Sequence, residues 1–545
     1  MAAGCGAQSA PGGGPLLSWH ASGRNALAQG TNATRLKLVD QFAATEALRR
    51  QIATNLARVP RKAWGKALPG DAPDGAELLR LLMADLLSAE SYGEIRGPIG
   101  QTETAMAVEL TDERAAAWST NLWQLAVLWK QGAPQAASRD GGSGWALKRA
   151  SAPNRLEFIR VGKWVVLGLG PEKLTRAPAL VQQIKASGRP APKVEAELLD
   201  LRADAPGLSA WVPIFSKLGL PPFHLTMRGQ GEHVRTEVKL NYAKPFVWKH
   251  EPWQIPTNFI GDSPVPLTSF TAARGVAPLV RGLPGFSELG LTTVPDQFTA
   301  WANPSSGELA RDQCRMNFAA PYADAEGAVR QLAGKLPGFV EQNLGQYVGD
   351  IFYASNQNHV FWGLPYIQPH VRAVTNGGMQ FLQGGLFPLL PRQSPAPPAL
   401  FAQLGTRTNL LYYDYEITHH RVHHGVQFYQ LLSIASRRFG PGTNSPVKLW
   451  LSAIVEELRR NTNTPSETVT EITQTSPNEL TLIRKSHLGF TGFELASFGA
   501  FLDSPGFPFR YEPPRVVPQP KGKPVAARTN ALPVALPQPG GGRKP

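Results

Sequence analysis

The stretch ETAMAVELTDER, residues 103–114, decides the fold class of this chain. Its first part, Glu103–Leu110, alternates along the chain as a half-buried strand does. Thr111 suits the N-cap of a following helix, and acidic residues come directly after it. The helix then places apolar residues at steps of four, three and four, which form one stripe: Trp118, Leu122, Leu125 and Trp129. A strand that leads into an amphipathic helix predicts mixed α and β structure.

A similar strand–helix joint returns roughly three hundred residues later, as a search for internal repeats reveals. Leu410–Glu416 is strand-like, and Thr418 is the expected cap of the next helix. A second block follows in the same order, because residues 153–160 match residues 477–484, each opening on Pro-Asn. Two matching blocks in one order predict that a strand–helix–strand unit has been duplicated.

Shorter patterns between the two blocks predict hairpins and helices. Leu156–Val161 and Trp164–Leu169 are expected to pair through the two-residue turn Gly162-Lys163. Single helices are expected at Leu36–Leu56 and at Ala323–Leu336, the second ended by Pro337. Antiparallel hairpins between amphipathic helices favour an α+β fold, with duplicated modules of antiparallel sheet packed against helices.

The composition divides the chain into five predicted segments. They are a flexible tether at 1–15, a first α+β module at 16–260, a middle α+β segment with a Pro-rich linker at 261–400, a second copy of the strand–helix–strand module at 401–512, and a disordered basic Pro-rich tail at 513–545.

The formal net charge is +14, and six Lys or Arg residues but no acidic residue lie in the tail at 513–545. Such a tail suits an anionic partner, although it lacks the aromatic residues of a single-strand nucleic-acid binder. No sequence-specific nucleic-acid binding is expected. The longest apolar runs, such as Trp164–Leu167, are far shorter than a membrane span. Only Cys5 and Cys314 are present, which excludes a disulfide framework and metal sites built on several cysteines.

The opening Ala-Ala-Gly-Cys5 is similar to the end of a bacterial lipoprotein signal, in which the cysteine takes the lipid. A signal peptide also needs a basic region and an apolar segment before that cysteine, and neither precedes Cys5 here. The hypothesis of lipidation at Cys5 therefore requires a start upstream of Met1. Membrane contact is expected only through this lipid.

Four histidines, His419, His420, His423 and His424, stand one helical turn apart in two pairs. That spacing is compatible with zinc binding, but a closed site needs two further ligands. The matched positions in the first block are ordinary helix-surface residues, so an exposed polar helix start is the preferred interpretation and no metal site is predicted.

Three other patterns imitate catalytic or cofactor motifs. Gly261-Asp262-Ser263 is similar to the nucleophile block of GDS-type esterases, but no Asp-x-x-His pair follows, so an interdomain turn is favoured. Gly168-Leu169-Gly170 imitates a dinucleotide loop without its third glycine and is interpreted as a strand-to-helix turn. Asp414 and Glu416 share one side of a strand and are interpreted as solvated residues. No catalytic residue and no cofactor are predicted.

The combination of this start, the duplicated modules and phrases such as Trp19-His20 and the strand Tyr412–Thr418 resembles a loose class of bacterial envelope proteins. The resemblance spans most of residues 16–512 and rests on pattern alone. It implies an extracytoplasmic location and a modular topology, and the class carries no activity to transfer.

Two functions follow as expectations. The first is a non-enzymatic envelope protein that binds a partner protein or an anionic polymer through its sheet surfaces and basic tail. The alternative function is a hydrolase with a site assembled at the junction of the two copies, and the alternative location is the cytoplasm. An enzyme should have a pocket with convergent titratable residues, whereas a binding protein should expose broad basic or hydrophobic faces.

Overall fold

A computed structural model of the chain has about 37% of its residues in helices and 35% in strands, so the fold is α+β. The residues that the structure describes are 14–64, 73–98, 101–148, 154–212, 215–216, 219–246, 251–256, 267–277, 281, 289, 291, 293–303, 315–344, 351–362, 368–385, 404–435, 445–460, 466–508 and 511.

Twenty strands lie within the described residues and belong to one sheet. They are β1 Leu17–Ala21, β2 Ser91–Arg96, β3 Glu103–Glu109, β4 Gln135–Arg139, β5 Gly142–Lys148, β6 Asn154–Val161, β7 Trp164–Pro171, β8 Glu197–Ala203, β9 Phe223–Gln230, β10 His233–Asn241, β11 Ser269–Arg274, β12 Gln297–Asn303, β13 Arg315–Pro321, β14 Ile351–Ala354, β15 His359–Trp362, β16 His370–Asn376, β17 Met379–Gly385, β18 Leu410–Ile417, β19 Glu467–Ser476 and β20 Glu479–Ser486.

The described part of the chain also contains twelve α-helices. They are α1 Gly23–Gln29, α2 Thr34–Asp40, α3 Ala43–Ala57, α4 Val59–Trp64, α5 Ala76–Leu86, α6 Asp112–Leu128, α7 Arg176–Ser187, α8 Ala205–Leu208, α9 Ala325–Leu344, α10 Thr418–Ala435, α11 Pro446–Arg460 and α12 Gly492–Leu502.

Every strand pairing is antiparallel, and the pairings give one continuous order. That order is β4-β5-β6-β7-β3-β2-β1-β8-β9-β10-β20-β19-β18-β11-β12-β13-β17-β16-β15-β14. The nine pairings among β1–β10 recur among β11–β20 when ten is added to each strand number. Among the described strands, the two ten-strand halves pair with each other only through β10 and β20, from Val234 opposite Ser486 to Asn241 opposite Glu479.

Most helices lie on one side of this sheet, which we call the helix face. In the first half, α5 and α6 cover it around the buried Val108 and Trp118. In the second half, α9 packs on Val360 and Leu382. Near the centre, α3, α10, α11 and α12 form a common core around residues such as Ile454. The other side, the opposite face, carries α7 over the first half, packed on alternate residues of β3 and β7.

The first predicted joint is confirmed. Thr111 caps α6 by accepting a hydrogen bond from the backbone N–H of Arg114, at 3.3 Å. The stripe from Trp118 to Trp129 packs into the first core, with both tryptophans buried. The hairpin of β6 and β7 is also confirmed, and its Gly162 has a positive φ of 56° that favours glycine. A two-residue turn with the same residue type, Gly377-Gly378, joins β16 to β17.

The predicted helix at Leu36–Leu56 is wrong, because the segment forms two helices, α2 and α3, that break after Asp40. The hydroxyl of Thr45 donates to the carbonyl oxygen of Val39 at the end of α2. This local side-chain bond offers the backbone an alternative to a continuous helix.

The predicted stop at Pro337 is also wrong, since α9 continues through this proline to Leu344. Proline in a helix removes one backbone hydrogen bond and crowds the preceding turn. The apolar stripe nevertheless continues beyond it, because Leu332, Leu336 and Val340 all bury against the sheet. The free energy gained by burying this apolar face outweighs the local tendency of proline to end a helix.

The predicted equivalence of the two strand–helix joints is not confirmed. β3 lies between β2 and β7, whereas β18 lies between β11 and β19. In the strand order, β3 takes the same place as β13, and β18 takes the same place as β8. Thr418 is the first residue of α10, not a residue preceding it, and its hydroxyl bonds to that of Thr468 at 2.7 Å.

Candidate functional site

A large cleft opens where β1 and β3 end and β8 begins. Its volume is about 1140 Å³, and its wall includes parts of α1 and the start of α6. We call it the His20 cleft, because the side chain of His20 at the end of β1 lines it. The cleft is a candidate site because polar and charged groups from four distant segments converge there.

His20 is held between two carboxylates. Its Nδ1 lies 2.7 Å from Oε1 of Glu197, and its Nε2 lies 2.9 Å from Oε1 of Glu90. All three side chains are close to buried, with exposed fractions of 10%, 4% and 11% respectively. The hydrogen bond to Glu90 raises the pKa of His20, burial lowers it, and Glu197 raises it further, so the net direction is upward. This environment favours the imidazolium form, in which both ring nitrogens donate.

Glu90 is held in its charged form. Burial alone would raise the pKa of Glu90, but the hydrogen bond from His20 and the neighbouring guanidinium of Arg189 outweigh burial and lower it. Because both nitrogens of His20 are already occupied, the ring is not free to accept a proton from a substrate. The triad therefore fixes β1, β8 and the segment before β2, and it shapes the cleft floor.

In the second half of the sheet, a different side chain occupies the space at the equivalent strand end. At the end of β11, which takes the place of β1 in the strand order, Arg274 is buried. Its guanidinium donates to the carbonyl oxygens of Leu410 at 2.8 Å and Glu251 at 3.0 Å, and it lies 4.7 Å from the ring centre of Trp253. A satisfied arginine thus occupies the second strand end, while the first is open.

A second cluster of charge lies beneath α10 and corrects the interpretation of Asp414 and Glu416 as solvated. Both carboxylates are buried, and Arg421 of α10 contacts each of them, Asp414 at 2.9 Å and Glu416 at 3.2 Å. The backbone N–H of Gly492 donates to Glu416 at 2.6 Å. Burial raises the pKa of Glu416 to about 8, Arg421 opposes this, and the charge of Asp414 adds to it.

The four histidines of α10 do not form the exposed polar helix start that was predicted. Only His423 is exposed, and His424 is buried against the neighbouring helices. His419 is hydrogen bonded to the hydroxyl of Ser466 at 3.0 Å. Burial, together with the nearby His420, lowers the pKa of His419 and of His424 to about 4. His419 and His424 are therefore neutral near pH 7.

Gly168-Leu169-Gly170 lies inside β7, so its interpretation as a strand-to-helix turn is wrong. A Cβ atom on Gly168 would stand 2.6 Å from the Cβ of Ala177 in α7. Glycine is required there because the helix approaches the strand closely.

The opposite face of the central strands is exposed and charged. Arg228, Arg235 and Lys485 stand directly opposite one another on β9, β10 and β20 and form what we call the basic row. The next row along the strands contains Asp200 and Glu237.

Sequence reasoning missed the His20 cleft for a definite reason. Glu90 and Glu197 lie 70 and 177 residues from His20, so no linear spacing signals the cluster. The predicted lipidation residue Cys5, Cys314 and the Gly261-Asp262-Ser263 block lie outside the described residues. Within the described part of the chain, no group of three or more His, Cys, Asp or Glu residues is arranged to hold a metal ion.

No protein family, curated protein or solved structure matches this chain. Among the described helices, none has both the length and the apolar character that crossing a membrane requires.

Proposed function

We propose that this chain is a non-enzymatic binding protein for an anionic polymer, which lies on the exposed opposite face of the central strands. The observation that supports this proposal is the basic row. Arg228 faces Arg235, and Arg235 faces Lys485, across three neighbouring strands. Like charges directly opposite each other destabilise a sheet unless a counter-charge lies between them. A polyanion supplies that counter-charge.

The spacing of the row fits a linear chain of charges. Neighbouring strands lie about 4.8 Å apart, so the three cations extend over roughly 10 Å at right angles to the strands. Arg235 is 43% exposed, and its nearest carboxylate, that of Glu237, is 3.8 Å away. Glu197 on β8 stands opposite Arg228, but it is already engaged by His20. The row is therefore accessible and only partly neutralised within the protein.

Two further cations lie on the opposite face, two residues beyond the acidic residues along the strands. Arg202 of β8 and Lys239 of β10 both stand opposite His224 of β9. Each cation has an acidic partner, since Arg202 lies 3.7 Å from Asp200 and Lys239 lies 3.4 Å from Glu237. They are thus partly compensated, and the basic row is the stronger candidate. The six Lys and Arg residues in the sequence at 513–545 add further positive charge to the protein.

The test is binding of fluorescent long-chain polyphosphate to the full chain at low and at physiological salt. We expect the triple variant Arg228→Gln, Arg235→Gln, Lys485→Gln to bind on the order of tenfold more weakly or worse, and binding of the unmodified chain to weaken with salt. The matched control Arg80→Gln, Arg330→Gln, Arg460→Gln removes the same charge from exposed positions on α5, α9 and α11. Equal loss in both variants would show that net charge alone governs binding and would refute the site.

We also propose an extracytoplasmic location at the cell envelope with a lipid on Cys5. The support is the Ala-Ala-Gly-Cys sequence at residues 2–5. Metabolic labelling with a palmitate analogue in the native host should modify the protein and spare a Cys5→Ser variant. An unlabelled protein, recovered from the cytoplasm, would contradict this proposal.

We also infer that the two halves of the sheet arose by duplication of a ten-strand unit. What supports it is the recurrence of nine pairings with ten added to each strand number, and the antiparallel seam of β10 with β20. Antiparallel pairing of equivalent strands is what a two-fold axis between identical units requires. In an experimental structure, β1–β10 should superpose on β11–β20 by a rotation near 180°, and unrelated strand paths would contradict the inference.

A hydrolase with its site at the junction of the halves is the second candidate. The observation in its favour is Glu416 on β18, two strands from β20, because burial raises the pKa of its carboxyl group as a general acid requires. The side chain is fully buried, so α10 or α12 would have to move aside for a substrate to reach it. A broad screen of ester, phosphoester and glycoside substrates should then reveal turnover that Glu416→Gln abolishes. Turnover that is absent, or unchanged in the variant, would exclude this candidate.

A further inference from the structure

We propose that exposed aromatic rings on α10 and α12 form a docking surface for residues 513–520 of the same chain, a proline-rich segment that lies outside the described residues. We call these rings the aromatic patch, and they belong to Phe428, Tyr429, Phe493 and Tyr511. The patch lies on the helix face, so the inference does not depend on the polymer site on the opposite face.

The aromatic patch is a continuous series of rings. The ring centre of Phe493 lies 5.9 Å from that of Phe428 and 6.3 Å from that of Tyr429. The ring of Tyr429 lies in turn 6.2 Å from that of Tyr511. At these separations each ring contacts the next one, so α10, α12 and the segment after α12 present one apolar surface.

This surface faces solvent in spite of its apolar character. Phe428, Phe493 and Tyr511 are 42%, 41% and 44% exposed. There is no space for the rings between the two helices, because a Cβ atom on Gly425 of α10 would stand 2.6 Å from that of Ala496 of α12. A contiguous exposed surface of large apolar side chains is typical of a binding site.

The first argument for the occupant is the continuity of the chain. Tyr511 belongs to the patch, and residues 513–520 begin two positions after it. A segment on so short a tether is present beside the patch at an effective concentration in the millimolar range, so a weak contact is sufficient to hold it. A separate partner molecule does not have this advantage.

The second argument is the chemistry of the segment. Residues 513–520 read Pro-Pro-Arg-Val-Val-Pro-Gln-Pro, with four prolines, two valines and no acidic residue. Proline-rich sequences favour the polyproline II helix, and aromatic surfaces recognise it because little conformational entropy is lost on binding. At about 3.1 Å per residue, such a segment extends roughly 25 Å, which is enough to cross the four rings.

Limited trypsin cleavage of the full chain tests the proposal, because the proline-rich sequence contains its own reference site. Arg515 lies within the docked segment, whereas Arg528 lies beyond it. A synthetic peptide of residues 511–545 gives the intrinsic rates at both sites. We expect cleavage after Arg515, relative to Arg528, to be about tenfold slower in the protein than in the peptide, since a protease cuts only the undocked population.

Two exposed rings of the patch can be removed without opening the core. The double variant Phe428→Ser, Phe493→Ser should bring the relative rate at Arg515 to within about twofold of that of the free peptide. The control is Leu38→Ser with Val127→Ser, which removes two apolar side chains of similar exposure, 43% and 55%, from α2 and α6. The control should retain the protection.

The chain also offers a matched control for the prolines, because Pro-Gln-Pro occurs at 518–520 and again at 537–539. Pro518→Ala with Pro520→Ala should release Arg515, whereas Pro537→Ala with Pro539→Ala should not. Equal relative rates in the protein and the free peptide, or protection that persists in the patch variant, would overturn the proposal. A dimer seen by sedimentation in the unmodified protein and absent in the patch variant would also overturn it, since the occupant would then be a second copy.

Discussion

A carboxyl group buried between charged neighbours can lower its energy by ion pairing or by keeping its proton. Glu416 keeps its proton: Arg421 lies 3.2 Å away and favours the charged form, but burial and Asp414 raise the pKa to about 8. Asp414 and Glu416 share Arg421, so one negative charge would be in excess if both were ionised. The cluster joins α10 and α12 to β18, and its protonation state is therefore linked to the stability of the fold.

The pH dependence of stability follows from that shift. Between the ordinary pKa of 4.5 and the folded value of about 8, the native state holds a proton that the unfolded state releases. The free energy of unfolding should thus fall as pH rises through this window, by up to about 1.4 kcal/mol per pH unit. Urea unfolding should show this decline in the unmodified protein and in Glu172→Gln, but not in Glu416→Gln. Parallel curves for all three proteins would contradict the assignment.

The pH dependence of the stability that His20 contributes should be opposite to that of a histidine with a lowered pKa. Its raised pKa contributes stability that is fully present below 6.5 and is lost as pH rises through the folded value. The difference in melting temperature between the unmodified protein and His20→Gln should therefore be largest at acidic pH. His233, whose pKa burial lowers, provides the control, because the benefit of replacing it with Gln should grow as pH falls. Identical pH profiles of the two variants would refute the role of the triad.

The sequence shows which residues these are, but it does not show which side chains pack around them in the folded protein. Asp414 and Glu416 were placed correctly on one side of a strand, yet whether that side faces water depends on α10 and α12. His20 gains its two carboxylates from segments that only the sheet order brings together. Burial of charge is therefore a property of tertiary packing, and linear spacing does not encode it.

At the scale of single elements, the two halves have helix caps at equivalent positions. Thr111 precedes α6, which follows β3, and Asp324 precedes α9, which follows β13. The side chain of each accepts a hydrogen bond from the backbone N–H three residues later, at 3.3 Å from Arg114 and 2.9 Å from Gly327. The same type of side-chain cap thus begins α6 and α9, which follow strands at the same place in the strand order.

Removing either cap should destabilise the protein by a similar amount. We expect Thr111→Ala and Asp324→Ala each to lower the free energy of unfolding by about 1 kcal/mol, as is usual when a capping side chain is lost. Thr54→Ala, in the last turn of α3, where the hydroxyl bonds only to the carbonyl oxygen of Arg50 in its own helix, is the matched control and should change stability little or favourably. Chemical denaturation gives all three values. A cap variant with no loss of stability would show that the hydrogen bond contributes nothing there.

Local signals predicted most elements that end in a cap or a tight turn. Thr111 and the Gly162-Lys163 turn were identified because their chemistry is contained within a few residues. The break after Asp40 was not predicted, because it depends on the hydrogen bond from Thr45 to Val39, which the apolar pattern does not signal. The passage of α9 through Pro337 was not predicted either, because packing on the sheet overrides the local preference of proline. The prediction that β3 and β18 are equivalent strands relied on short matching stretches of sequence. It missed the strand order, which depends on contacts between segments hundreds of residues apart.

At the scale of the molecule, the sheet has a centre and two edges. β10 and β20 lie at its middle and are covered on the helix face, where Arg484 of β20 contacts Glu494 of α12 at 2.6 Å. Helices from the first and last parts of the chain share one core there, and Arg35 of α2 pairs with Glu457 of α11 at 3.1 Å. The seam between the halves is therefore bound by strand pairing and by shared helices.

This arrangement predicts the pattern of amide hydrogen exchange. Amides of β10 and β20 should exchange only through global unfolding, because both partners and the helix layer must separate to expose them. Amides of β4 and β14, which have a neighbouring strand on one side among the described residues, should exchange much faster. Mass spectrometry of peptides from residues 233–241 and 479–486 measures the first class. If these peptides exchanged as fast as the edges while β6 and β16 stayed protected, the halves would open independently and the single-sheet architecture would not hold in solution.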